Sequence, residues 1–147
     1  MNDVIVGIDR SDTARRAAEV AAGLATGLGA NLHIVMCVER TKPVDVSVGT
    51  DRFHSDWLTD AEQFLDTAAW KLQAPSITRT VALGDPASML CEEAERLRAR
   101  TIVVGNRRVQ GVSRVLGSVA SDVTRRAPCD VLVAQTCSEG AGSCDVT

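Results

Sequence analysis

The apolar positions of the chain alternate between two spacings, and the alternation predicts strand and helix in turn. Residues 3–9 (DVIVGID) hold a short β-branched run between two aspartates, the mark of a buried strand ending near Ile8. From Asp12 onward Ala14, Ala17, Ala18, Ala21, Leu24, Ala25 and Leu28 make a helical stripe. Ser11 or Asp12 is placed to cap its start, and Gly27 and Gly29 to stop it. Residues 32–38 (LHIVMCV) form a second run, too continuous for a half-exposed strand and suited to one covered on both faces. Strand, helix and strand in this order imply a parallel crossover.

Residues 39–54 carry Pro43 and Gly49 without a sustained period and read as a long connection. Trp57, Ala61, Phe64, Leu65, Ala68 and Leu72 then mark one face of a second helix, closed by Pro75. Residues 77–83 (ITRTVAL) alternate as a third strand nearer an edge. Pro86 suits the first turn of a third helix that turns Ala87, Leu90, Cys91, Ala94 and Leu97 inward. Its charge run, from Glu92 and Glu93 to Arg98 and Arg100, reads as a solvated face. A fourth strand starts at Thr101 and stops at Gly105. A loop with Arg107, Arg108 and Arg114 leads to Gly117-Ser118 and a fourth helix, and a fifth strand spans 130–134. Five short strands alternating with four helices give a single doubly wound α/β domain with a five-stranded parallel sheet. Ligands of such sheets bind at the carboxyl ends of the strands, where the strand order reverses. Asp9, the region of residues 37–39 and Gly105 are therefore the places to look.

Composition narrows the class. The 147 residues fit one domain, expected over 1–137, with a small, polar, glycine-bearing tail over 138–147 expected to be disordered. A net charge of −3 argues against a nucleic-acid or anionic-membrane binder. Aromatics are 3% of the chain and tyrosine is absent, so Ala, Val and Leu must build the core. The first residues lack a basic region and an apolar core long enough for a secretory signal, and no run suits a membrane span, so a cytoplasmic protein is expected. Five cysteines with no CxxC pair suggest reduced thiols, with Cys37, Cys91 and Cys129 as small core residues. His33 and His54 have no partner at metal-ligand or catalytic spacing.

The stretch 101–133 is the candidate for chemistry: strand, glycine-bearing basic loop, helix start, strand. Backbone N–H groups of such a loop and the positive end of the following helix form a ready phosphate site. A GxGxxG fingerprint is absent, because Gly27 and Gly29 follow a helix, and no Gly-Lys-Ser/Thr occurs. Without a P-loop lysine, fast phosphoryl transfer is not expected.

Three segments together resemble the universal stress protein family over about residues 3–134. VGIDRSD is similar to its first strand, VALGDPASML to the element opening its third helix, and VVGN with GSVASDVTRRAPCDVLV to its closing signature. ATP-binding members carry G-x2-G-x9-G-[ST]. Gly105 fits the first glycine and Gly117-Ser118 the last pair; the loop is one residue shorter, and Arg107 or Arg108 stands at the second glycine. Gly111 matches a further loop glycine, and Arg10 stands where the family has glycine.

The resemblance implies an adenine nucleotide alpha-hydrolase-like fold and a stress-response regulator that binds an adenine nucleotide as a conformational or partner switch. ATP is the first expectation, with AMP or cyclic AMP as others. By this reading Gly105, Gly111, Gly117, Ser118 and Val119 line the phosphates and ribose, Arg107 and Arg108 supply cationic donors, and Val38 flanks the adenine. Asp9 hydrogen-bonds the nucleotide or holds Mg²⁺ through water. No residue is assigned a catalytic role or a direct metal bond. Self-association through the last strand and an unidentified regulatory protein partner are also implied. The alternative is a dimeric interaction protein of the same family that binds no nucleotide.

Overall fold

The computed structural model of the protein describes residues 3–38, 50–106 and 116–136, the side chains of 50–57 excepted. The connection expected over 39–49, the loop over 107–115 and the C-terminal segment from 137 lie outside these residues. The chain runs β1 (Val4–Ile8), α1 (Asp12–Leu28), β2 (Asn31–Val38), α2 (Thr50–Trp70), β3 (Ser76–Leu83), α3 (Pro86–Leu97), β4 (Thr101–Gly105), α4 (Ser118–Arg126) and β5 (Asp130–Ala134). The strands form one five-stranded sheet in the order β3-β2-β1-β4-β5, parallel throughout. This is the doubly wound arrangement predicted above, with β3 at an edge and β2 enclosed between β3 and β1.

Alternation along β1 explains how one strand serves two cores. Val4, Val6 and Ile8 face α1 and α2, whereas Ile5 faces α3 and α4. The first core is finished by Leu32, Ile34 and Leu65, and the second by Val35, Leu90, Ile102 and Val123. α1 buries only alanines: 14, 17, 18, 21, 22 and 25. With alanines at every fully buried position and Leu24 and Leu28 only partly buried, the helix axis can approach the sheet closely. Among the described residues, no helix is long and apolar enough to cross a membrane.

The ends of α1 follow the predicted chemistry, with one change. Ser11 is the N-cap, its hydroxyl accepting from the Ala14 N–H at 3.2 Å. Gly29, at φ 62°, ends the helix and gives its N–H to the carbonyls of Ala25 and Thr26. Gly27 stays helical and stops nothing. α2 begins at Thr50, inside the stretch read as connection, because a helical turn without an apolar period leaves no such signal in sequence.

The charged face of α3 also departs from expectation. Glu93 turns inward, its carboxylate 3.3 Å from His33 Nε2 and hydrogen-bonded by Arg96 at 2.6 Å. His33 is 5% exposed. Its Nδ1 contacts the Thr78 hydroxyl, and the Thr80 hydroxyl lies 3.1 Å from Nε2. An imidazole protonated on Nε2 satisfies this set: Nε2–H donates to Glu93 or Thr80, and Nδ1 accepts from Thr78. The histidine therefore does have partners, brought together from β3 and α3, and it pins α3 to the sheet.

Burial holds the His33 pKa below the ordinary imidazole value, although the Glu93 carboxylate pulls it up. Unfolding thus raises the proton affinity of His33. Its stabilising contribution is complete above about pH 6.5 and is lost as pH falls from there towards the folded-state value. Glu93 is held below the usual carboxylate range by its hydrogen bond from Arg96, then by the nearby charges. Its contribution disappears only at lower pH, below about 4.3. We expect urea denaturation at a series of pH values to show stability falling below pH 6.5, by at most about 1.4 kcal/mol per pH unit for this one proton. The His33→Gln variant should lack that component; an unchanged slope would remove His33 as its source.

Candidate functional site

The strand ladder opens where the sheet reverses direction. β1 pairs with β2 through Ile8↔Met36, but with β4 only as far as Val6↔Val103. Gly7 and Ile8 are thus separated from Val104 and Gly105, whose ladder partners lie on β5. Into this split opens a cleft of about 370 Å³, lined by both strand ends, the first turns of α1 and α4, and the start of α3. That volume lies in the range of small-ligand sites, and its position is the one expected for this topology.

The three helix starts at the cleft differ in how their N–H groups are satisfied. Ser11 caps α1, and Asp85 caps α3 by accepting from the Ser88 N–H at 3.0 Å. At α4 the N-cap is Gly117, extended at φ −60° and ψ 161°, and it makes no side-chain cap. The first intrahelical bond runs from the Ser121 N–H to the Gly117 carbonyl at 2.9 Å. The N–H groups of Ser118, Val119 and Ala120 precede it and lack intrahelical acceptors, and all three residues line the cleft. Ser118 is consequently the first helical residue instead of the cap, which leaves its hydroxyl available. An uncapped helix start is an anion site by its N–H groups and its dipole.

The other predicted residues are placed as follows. Asp9 lines the cleft, and its Oδ1 accepts from the Ser11 N–H at 2.7 Å, so it also orders the entry to α1. Gly105 lines the cleft at the end of β4. Val38, at the end of β2, is not among the lining residues; its carbonyl accepts from the Gly84 N–H at 3.1 Å. Arg107, Arg108 and Gly111 lie outside the described residues.

Sequence reasoning missed Thr13, Pro86 and Leu90, which also line the cleft, while Cys37, read as a small core residue within the strand end marked as a place to look, lines it too. Thr13 stands in the first turn of α1, packed close to Gly105. Cys37 is partly buried against the second core and forms cleft wall as well. Burial, aided by the negative charges of Asp85 and Glu93, pushes its thiol pKa up to about 11. The thiol is therefore neutral near pH 7 and a poor nucleophile. Among the described residues the lining carries one carboxylate, Asp9, and no lysine or arginine. Nor does any cluster of three or more His, Cys, Asp or Glu side chains there suit a metal ion.

Gly105 is required by space. A Cβ built on it would fall 2.7 Å from Thr13 Cγ2 and 3.3 Å from the Thr13 carbonyl oxygen. Gly105→Ala should cost about 1–3 kcal/mol in chemical denaturation, the scale of overpacking. Adding Thr13→Ser, which deletes the clashing methyl, should recover part of that loss. No recovery would mean that the backbone contact, and not the methyl, sets the limit.

Comparison with known proteins agrees with this geometry. The family model of the Universal stress protein family matches residues 1–135. The chain is 32% identical over 145 residues to Universal stress protein Rv1636 of Mycobacterium tuberculosis (strain ATCC 25618 / H37Rv), covering 90% of this chain and 95% of that protein. It is 29% identical to a universal stress protein solved in complex with cAMP, at a TM-score of 0.62 over 91% of this chain and 96% of that one. Hypothetical protein MJ0577 has the same fold at a TM-score of 0.76 and 16% identity, over 94% of this chain and 98% of that one. With the family profile, the closing signature around Gly117-Ser118 and the parallel fold in agreement, the chain belongs to the universal stress protein family.

Proposed function

We propose that this protein is a stress-response regulator whose cleft binds an adenine nucleotide, occupancy acting as a conformational or partner switch. The uncapped start of α4 at the reversal point carries this reading: Ser118, Val119 and Ala120, whose N–H groups lack intrahelical acceptors, line a cleft of ligand size. The relative solved with cAMP supports the ligand class. The apolar wall of Val35, Leu90 and Val104 suits a base, and the neutral Cys37 thiol adds no charge to it.

ATP is the preferred ligand in this reading, with its phosphates at Gly117, Ser118 and Val119 and with Arg107 and Arg108 as further donors. Mg²⁺, if it accompanies the nucleotide, is held through water at Asp9. Hydrolysis is slow and incidental, since the chain has no Gly-Lys-Ser/Thr sequence to supply a phosphate-clamping lysine. The protein acts in the cytoplasm as a homodimer joined along β5, whose outer edge has no strand partner among the described residues. Leu132, at the middle of that strand, is 38% exposed and would be covered by the partner copy. A regulatory protein then reads the nucleotide state. One observation favours a second reading, a dimeric interaction protein without nucleotide: arginine replaces the second loop glycine.

Mass spectrometry of small molecules released by denaturing the purified protein separates the two readings; a stoichiometric adenine nucleotide excludes the second. In titration calorimetry with ATP and with cyclic AMP, Ser118→Ala should weaken binding by roughly 1–3 kcal/mol, the scale of a lost hydrogen bond to a charged group. Unchanged affinity would remove Ser118 from the site. Leu132→Glu should shift the mass measured by light scattering towards the monomer; a persistent dimer would move the interface elsewhere.

A further inference from the structure

Arg10 lies between two residues that line the cleft, Asp9 and Ser11, yet it is not itself a lining residue. The contacts of its neighbours stay local: Asp9 accepts from the Ser11 N–H, and Ser11 accepts from the Ala14 N–H. Arg10 instead reaches α2. Its guanidinium carbon stands 4.9 Å from the centre of the Phe64 ring, and its NH2 group pairs with the Asp60 carboxylate. Asp60 and Phe64 are one helical turn apart, so one face of α2 presents both the ring and the carboxylate. α2 is itself seated on the sheet by Ala61, Leu65 and Ala69, which are buried in the first core.

A planar guanidinium can stack on a ring and donate in its plane to a carboxylate at once, which an ammonium cannot. The two contacts therefore set the direction of the arginine as well as its charge partner. Because the connection between β1 and α1 is only residues 9–11, fixing its middle residue restricts the backbone on both sides. The Asp9 turn and the first turn of α1 are thus ordered before any ligand arrives, which lowers the entropy lost on binding. We infer that Arg10 is a positioning residue of the cleft, clamping its β1–α1 rim to α2 through Asp60 and Phe64. It acts without touching the ligand, since Arg10 does not line the cleft and its guanidinium is engaged by Asp60 and Phe64. Only the ligand arm of the test below rests on the nucleotide reading.

Amide hydrogen exchange on the ligand-free full chain tests the clamp alone. In Arg10→Gln and in Asp60→Asn, the Ser11 and Ala14 N–H groups should exchange about two- to fivefold faster than in the parent, the scale of an exposed ion pair, with β1 unchanged. Titration calorimetry with cyclic AMP should show both variants weakened, Arg10→Gln by the larger factor because it also removes the Phe64 contact. The double variant should be no weaker than Arg10→Gln, because Asp60 acts only through Arg10. Arg10→Lys, which keeps the charge and loses the stacking plane, should fall between parent and Arg10→Gln. Unchanged exchange in both single variants would overturn the clamp. So would normal cyclic AMP affinity in Asp60→Asn beside a loss in Arg10→Gln, which would make Arg10 a direct ligand contact. If the parent itself binds neither cyclic AMP nor ATP, the nucleotide reading falls, and the exchange rates still decide the role of Arg10.

Discussion

A parallel sheet wound by crossovers of one hand can cover both faces only by reversing its direction of growth once, and everything functional here depends on that reversal. From β1 the chain grows outward through β2 to β3, then returns so that β4 lies on the other side of β1. α1 therefore leaves the sheet on one face and α3 and α4 cover the other. Among the described residues, no element crosses the gap between the two departing connections. The ladder between β1 and β4 stops at Val6↔Val103, and the space beyond it is the cleft.

Small residues make this split compact. The alanine face of α1 lets the helix lie close to the sheet, and the same closeness puts Thr13 against Gly105. On the opposite face a Cβ on Gly7 would meet Leu90 Cδ1 at 3.0 Å. Two strand-end glycines thus admit helices from both sides to the rim of the cleft, and larger residues there would displace the walls. With aromatics at 3% of the chain, fit depends more on close approach than on large side chains.

Polar contacts then fix the helices that form the walls. α3 is held to the sheet by the buried His33 and Glu93 pair, while Asp85 and Ser88 organise its first turn. Arg126 of α4 reaches the Ser88 hydroxyl at 3.1 Å, tying the end of one helix to the start of the other. The hydrogen bonds from Ser88 hold the exposed Asp85 carboxyl below its usual pKa, so this cap remains intact through mildly acidic conditions. Attraction for an anion in the cleft comes, among the described residues, from helix dipoles and backbone N–H groups. Such donors are immobile and need little reorganisation when a ligand binds.

Periodicity by itself determined the order and type of the nine elements, most of their ends, the edge place of β3 and the two glycines bounding the loop between β4 and α4. Those features are local: strand and helix periods, Ser11 and Gly29 caps, and a proline opening α3 are all written within a few residues. Asp9 and Gly105 could be placed at the cleft because strand ends are local as well, and the resemblance to the family motif added Gly117, Ser118 and Val119, which also line it. Tertiary structure decided what depends on distant neighbours. It brought Thr13 to Gly105, made Cys37 core and cleft wall at once, and gave Glu93 and His33 each other across an interface that the helical charge pattern had marked as solvent. It also carried Arg10 fifty positions along the chain to Asp60. Spacing along a chain reports which side chains share a face; only packing reports what that face meets.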